Sequence, residues 1–214
     1  MENIDYKAIA KQLSHPEGED GIKTGNLMQQ GNAEMCNHTI GLLNCQSGNY
    51  ILEIGHGNGS HISGILSRGE NIRYFGIDIS ETMVSQAIEN NRNNNAEFTL
   101  GNGIDLPYPN DYFDKIFTIN TLYFWQDTSA VLAEIKRVIK PTGQFFLTFR
   151  SEDFMKNLPF TEFGFTLYSK EKASGLLTKA GFKIVDAIQA NEGDSPSIMG
   201  IQVRKDRIII IGEK

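Results

Sequence analysis

Apolar positions along the chain switch repeatedly between a strand-like and a helical period. Residues 50–54 (Tyr-Ile-Leu-Glu-Ile) form a short apolar run, the pattern of a buried strand interrupted by one acid. Gly55, His56, Gly57, Asn58 and Gly59 then predict a sharp turn, and helical spacing resumes over 60–66. Residues 71–79 predict a second strand, ending near Asp78. Ser80 is placed to cap a helix with Met83, Val84, Ala87 and Ile88 on its apolar face. Strands follow over 96–100 and 113–119. Asp127 or Thr128 caps a helix carrying Val131, Leu132, Ile135, Val138 and Ile139, which Pro141 and Gly143 end. Residues 144–149 predict a fifth strand. Ser169 caps a helix with Ala173, Leu176, Leu177 and Ala180 on one face, closed by Gly181, and strands over 182–188 and 207–211 complete the chain. Strands joined by helices run parallel and are covered on both faces. The last two are linked only by a turn-rich stretch with Gly193, Asp194 and Pro196, so the last is expected to be antiparallel. The pattern is that of an α/β protein: a seven-stranded, mostly parallel sheet, helices on both faces and an antiparallel last strand.

Two regions interrupt the alternation. Residues 1–32 are polar and punctuated by Pro16, Gly18, Gly21, Gly25 and Gly31. They predict a mobile arm with one short helix near 4–13, separate from a main domain over 33–214. A helix over 32–44 follows, with Asn32 as its cap and Met35, Thr39, Leu42 and Leu43 on one face. After Arg150 come about twenty residues dense in Phe154, Phe160, Phe163, Phe165 and Tyr168. They form either a pocket wall, which we favour because such insertions carry specificity, or a satellite core.

Composition narrows the function classes modestly. A net charge of −6 argues against a nucleic-acid partner, which calls for a basic face. No apolar run is long enough to span a membrane, and the N-terminus lacks a signal-peptide pattern. The two cysteines, Cys36 and Cys45, have no metal-type or redox-type spacing, so reduced thiols in a cytoplasmic protein are expected. His15 and His38 share no metal-like spacing, and no metal is expected.

The chemistry resides in the strand–glycine turn–helix unit at 50–66. Glycines let a ligand approach the backbone, and a helix N-terminus offers unpaired N–H groups. A dinucleotide fold requires G-x-G-x-x-G, but Ser60 occupies the place of the third glycine, which falls at Gly59. Asp78, ending the second strand, suits the two hydroxyls of a ribose, since a carboxylate can accept from both. Glu53 stands inside an apolar strand, where an ionisable group is costly without a partner.

Ile-Leu-Glu-Ile-Gly-His-Gly-Asn-Gly (51–59) resembles the first motif of class I S-adenosylmethionine-dependent methyltransferases, an acid two places before G-x-G-x-G. Gly-Ile-Asp-Ile-Ser (76–80) resembles their second motif. Gly-Asn-Gly-Ile-Asp-Leu-Pro-Tyr (101–108), with Tyr-Phe-Asp-Lys-Ile (112–116), is similar to a signature of the small-molecule branch that includes quinone-ring methyltransferases. The resemblance spans roughly residues 50–150 and implies a Rossmann-like fold, S-adenosylmethionine as methyl donor and a small-molecule acceptor. It places Glu53 at the donor's amino group; Gly55, His56 and Gly57 along its methionine portion; and Asp78 at the ribose. It places Ile79 on the adenine; Asn102, Gly103 and Ile104 beside the adenine edge; and Asn120 at the methionine end. Asn102 departs from the family, which commonly has Asp there.

Tyr123 and Trp125, following Asn120, are candidates to touch the acceptor. No catalytic residue is assigned; Tyr123 or His15 could act as a base if the acceptor holds a proton. The arm is expected to close as a lid. Two alternatives remain at this point: a cofactor-binding module without catalysis, and a nucleotide-dependent dehydrogenase.

Overall fold

A computed structural model describes residues 4–194 and 204–214. Seven strands form one sheet in the order β3-β2-β1-β4-β5-β7-β6. They are β1 (Tyr50–Ile54), β2 (Arg73–Asp78), β3 (Ala96–Leu100), β4 (Phe113–Ile119), β5 (Ile139–Phe149), β6 (Lys183–Asp194) and β7 (Arg204–Glu213). The first five run parallel, and β7 lies antiparallel between β5 and β6. This matches the predicted architecture, antiparallel last strand included. The predicted turn at Pro196 lies outside the described residues. The chain builds outward from β1 to β3, then returns to place β4 on the other side of β1, so a crevice opens beyond the carboxyl ends of β1 and β4.

Strand alternation divides the core into two layers. Leu52 and Ile54 of β1, and Ile208 and Ile210 of β7, join the layer that contains Val131, Ile135 and Leu177. Ile51, Ile209 and Ile211 face the opposite layer with Ile40, Leu43, Ile62 and Ile65. Glu53, two residues from Ile51, therefore points into this second layer. The predicted caps form: Ser80 Oγ accepts from Met83 N, Asp127 from Ala130 N and Ser169 from Lys172 N. They open α5 (Glu81–Asn90), α6 (Thr128–Val138) and α8 (Lys170–Lys179); α4 (Ile62–Leu66) follows the glycine turn.

Four expectations need correction. The arm is not irregular: it folds as α1 (Tyr6–Ser14), capped by Asp5, and a 14-residue α2 (Gly18–Gly31). Glycines disfavour a free helix, but here they permit close packing. A Cβ at Gly25 would lie 2.8 Å from Met83 Sδ on α5, and one at Gly21 would lie 2.7 Å from the Pro16 carbonyl carbon. Second, Asn32 precedes α3 (Ala33–Leu42) without a side-chain cap bond; its Oδ1 accepts from Arg150 Nη2 at 3.3 Å. Third, α6 stops at Val138 and β5 starts at Ile139, five residues before the predicted strand. Pro141 disfavours helix in the residue before it, and a register shift between Phe113 and Lys115 of β4 absorbs the stretch. Fourth, the aromatic segment is mostly core. It contains α7 (Glu152–Met155) and a 3-10 turn over Pro159–Glu162, and Phe154, Met155, Leu158 and Phe160 are buried.

No helix among the described residues is long and apolar enough to cross a membrane, and no metal-type cluster of His, Cys, Asp and Glu occurs among them.

Candidate active site

One cavity of about 520 Å³ occupies the crevice beyond β1 and β4. Its floor is the glycine turn. Gly55 has φ +78°, and an added Cβ there would lie 2.2 Å from Thr121 Cγ2, so β1 can turn under the loop after β4 only with glycine at this position. Gly57 has φ +57°, and a Cβ built on it would meet no atom within 4 Å. Asp78 holds this turn from the neighbouring strand: Oδ2 accepts from Gly57 N and Oδ1 from Ser80 N, both at 2.9 Å. Ile79 and Ile104 are exposed apolar side chains that also line the cavity. Asn102 closes a local turn, its Oδ1 accepting from Ile104 N at 3.1 Å.

At the other end, Glu53 is buried, and its Oε2 accepts from the Tyr74 hydroxyl and from His61 Nε2 at 2.7 Å. Its Oε1 makes no hydrogen bond to the described residues, while Glu53 lines the cavity. Burial opposes the charged form of His61, but the Glu53 charge and hydrogen bond outweigh it and raise the imidazole above its ordinary value. Burial, reinforced by Glu53, pushes the Cys36 thiol up to about 12, so this cavity-lining cysteine is neutral and a poor nucleophile. His56 bonds Gly57 O through Nδ1 at 2.8 Å and packs edge-on to Phe98. Gly76 makes room for it, since a Cβ there would lie 2.6 Å from His56 Cδ2.

The remaining wall comes from three distant segments: Leu13, Met28, Gln29 and Asn32 of the arm; Asn120, Phe124, Trp125 and Gln126 after β4; and Gly164 of the aromatic segment. Asn120 itself adopts φ +58°.

Glu53, Gly55, His56, Gly57, Asp78, Ile79, Asn102, Ile104, Asn120 and Trp125 thus meet around one cavity. Two expected members do not. Gly103 sits behind the lining with Ile54 and Val131 as its nearest neighbours. Tyr123 is buried under the wall. Its hydroxyl accepts from Arg150 N at 2.6 Å and shares its proton between Asn120 Oδ1 (3.0 Å) and Arg150 O (3.2 Å). Burial raises this phenol well above its ordinary value, so it stays protonated, and Tyr123 does not line the cavity. Met28, Gln29, Cys36 and His61 were not among the sequence candidates. The Met28 and Gln29 positions depend on a helix the glycines masked. For His61, the signal was Glu53 itself, an acid in an apolar strand that requires a donor.

These features fit S-adenosylmethionine on their own terms: an open glycine edge, a carboxylate at the second strand's end, exposed isoleucines for a flat ring and a free carboxylate oxygen for an amino group. Comparison with known proteins points the same way. Residues 52–147 match the family model described as "Methyltransferase domain". An uncharacterized methyltransferase, YdaC, of Bacillus subtilis is 28% identical over 129 residues, covering 60% of this chain and 71% of that protein. A phosphoethanolamine N-methyltransferase of Triticum aestivum is 28% identical over 202 residues, but this chain spans only 37% of its length. Among solved structures, the methyltransferase bound to the Haloferax volcanii Trm112 methyltransferase activator superposes with a TM-score of 0.77 at 20% identity, covering 99% of this chain and 98% of that one. An S-adenosylmethionine-dependent methyltransferase of Aquifex aeolicus gives 0.68 at 20% identity, covering 98% and 99%. Residues 52–147 thus form a methyltransferase domain, carried on a seven-stranded Rossmann-like sheet of the kind seen in the solved S-adenosylmethionine-dependent methyltransferases.

Proposed function

We propose that the cavity holds S-adenosylmethionine with its adenosine toward Asp78, Ile79, Asn102 and Ile104 and its methionine toward Glu53, Gly55 and Gly57. The acceptor would be a small molecule held against Met28, Gln29, Asn120, Phe124 and Trp125. The single observation that carries this orientation is that Asp78 and Glu53, on adjacent strands, line one cavity at the switch in strand order. The donor supplies an activated methyl on a sulfonium. The protein's contribution is then alignment, which can lower a barrier by roughly 7–11 kcal/mol.

Each residue has a definite task. Asp78 accepts from ribose hydroxyls while fixing Gly57, and the exposed Ile79 and Ile104 cover the adenine. Tyr123 occupies the Asn120 carbonyl oxygen, which leaves the Asn120 amide N–H₂ for the cavity. Phe124 and Trp125 supply flat apolar area and exclude water. No lysine or arginine lines the cavity among the described residues, and the wall there is apolar or amide, which suits an uncharged acceptor. The 101–108 segment supports membership of the small-molecule branch that includes quinone-ring methyltransferases. The arm acts as a lid over a finished pocket: Asn26 Oδ1 accepts from Asn58 Nδ2 at 3.0 Å, and Pro16 O from Ser80 Oγ at 2.5 Å.

The test is incubation with methyl-labelled S-adenosylmethionine and a fractionated metabolite extract. Label entering a small molecule supports the assignment; label entering only macromolecules, or none, overturns it. Limited proteolysis with and without S-adenosylhomocysteine tests the lid, since equal cutting in both states would remove it.

A further inference from the structure

The carboxylate of Glu53 is held in an asymmetric way. Both donors that reach it, Tyr74 of β2 and His61 at the entry to α4, bind the same oxygen, Oε2. The other oxygen has no partner among the described residues, although the side chain is buried and lines the cavity. We infer that His61 is a positioning residue: with Tyr74 it holds Glu53 so that Oε1 is left for the ammonium of the bound donor, and its own protonation sets how strongly that ammonium is held. This rests on the proposed orientation of the donor, methionine end toward Glu53.

The electrostatics follow from which nitrogen does what. His61 Nε2 carries the proton that Glu53 accepts, whether or not Nδ1 is protonated. The geometry therefore persists through the titration while the charge does not. With His61 protonated, the Glu53–His61 pair is neutral overall. With His61 neutral, a full negative charge faces the cavity end, and a cationic ligand group is bound more tightly. The titratable groups beside the pair are Tyr74 from β2, Cys36 from α3 and Asp78 at the end of β2. Burial, followed by the Glu53 charge, raises both the Tyr74 phenol and the Cys36 thiol, so both stay neutral through the physiological range.

Two ligands separate this from general effects of pH. S-adenosylhomocysteine carries the ammonium; 5′-methylthioadenosine lacks the amino-acid portion. Calorimetric titration of the full chain should show S-adenosylhomocysteine binding tightening about three- to tenfold as pH rises through the raised His61 value. The methylthioadenosine affinity should stay flat. His61→Gln keeps a donor for Glu53 without the titrating charge, so it should bind S-adenosylhomocysteine with the pH dependence removed. His61→Ala, which removes donor and charge, should weaken S-adenosylhomocysteine and leave methylthioadenosine unchanged. Equal slopes for wild type and His61→Gln, or the same slope for both ligands, would overturn the inference while leaving the donor site intact. Failure of the wild type to bind either ligand would instead remove the donor site, and this inference with it.

Discussion

The two ends of the cavity are built differently. The proposed donor end comes from three segments close together in the chain: β1 with its glycine turn, β2 with Asp78 and Ile79, and the loop after β3 with Asn102 and Ile104. Its shape is set by backbone, through Gly55 at φ +78° and the Gly57 N–H bound to Asp78. The proposed acceptor end is assembled from side chains more than 90 residues apart in the chain, from Met28 through Trp125. A backbone-built site leaves a local signature in sequence, whereas a wall assembled by tertiary packing does not. The contrast also separates the expected consequences of mutation: changes at the donor end should disturb folding and donor binding together, and changes at the acceptor end should disturb turnover alone.

The largest effect should come from Gly55→Ala. The left-handed backbone and a Cβ 2.2 Å from Thr121 Cγ2 combine to cost at least about 3 kcal/mol, read as lost denaturant stability together with lost S-adenosylhomocysteine binding. Stability within experimental error of wild type would break the account of the turn. At the other end, Trp125→Ala should lower kcat/KM for the acceptor by roughly 10- to 100-fold through lost apolar area. Its S-adenosylhomocysteine affinity should stay within about twofold of wild type; a parallel loss of donor affinity would erase the distinction between the two ends. Next, Tyr123→Phe leaves the buried Arg150 N–H without its acceptor, at a cost of about 1–3 kcal/mol, and frees the Asn120 amide to turn. Stability should fall measurably, and the pH–rate profile should keep its shape, because the phenol is not a base.

The smallest effect is a matter of sign. The folded-state value of His61 is raised above its ordinary 6.5, so the pair with Glu53 stabilises the fold fully below that value. The contribution is lost as pH rises through the raised folded-state value. In donor-free protein, the melting advantage of wild type over His61→Gln should therefore be greatest in mild acid and be lost as pH rises through the raised His61 value. Donor affinity should run the opposite way. An advantage that grows with pH would contradict the ion pair.

Legibility in the sequence follows this same division. The β3 and β4 boundaries, the caps at Ser80, Asp127 and Ser169, and the antiparallel β7 were readable because each rests on local patterning or on connection length. The α2 helix was not, since Gly21 and Gly25 read as breakers until Pro16 and Met83 are seen packed against them. Tyr123 looked like a substrate contact by position, yet the turn at Leu122–Phe124 rotates it inward, onto Arg150, and leaves Phe124 and Trp125 outside. Asn32 looked like a cap and instead lines the cavity, tied to Arg150 from across the molecule.

The most direct test of the central claim, that this crevice binds the methyl donor through Asp78, is calorimetric titration of S-adenosylhomocysteine into wild type and Asp78→Ala. Removing the carboxylate deletes the ribose acceptor and the anchor of the Gly57 turn, and affinity should fall by roughly 100-fold or more. Equal affinity for the two proteins, with Asp78→Ala shown to be folded, would contradict the site.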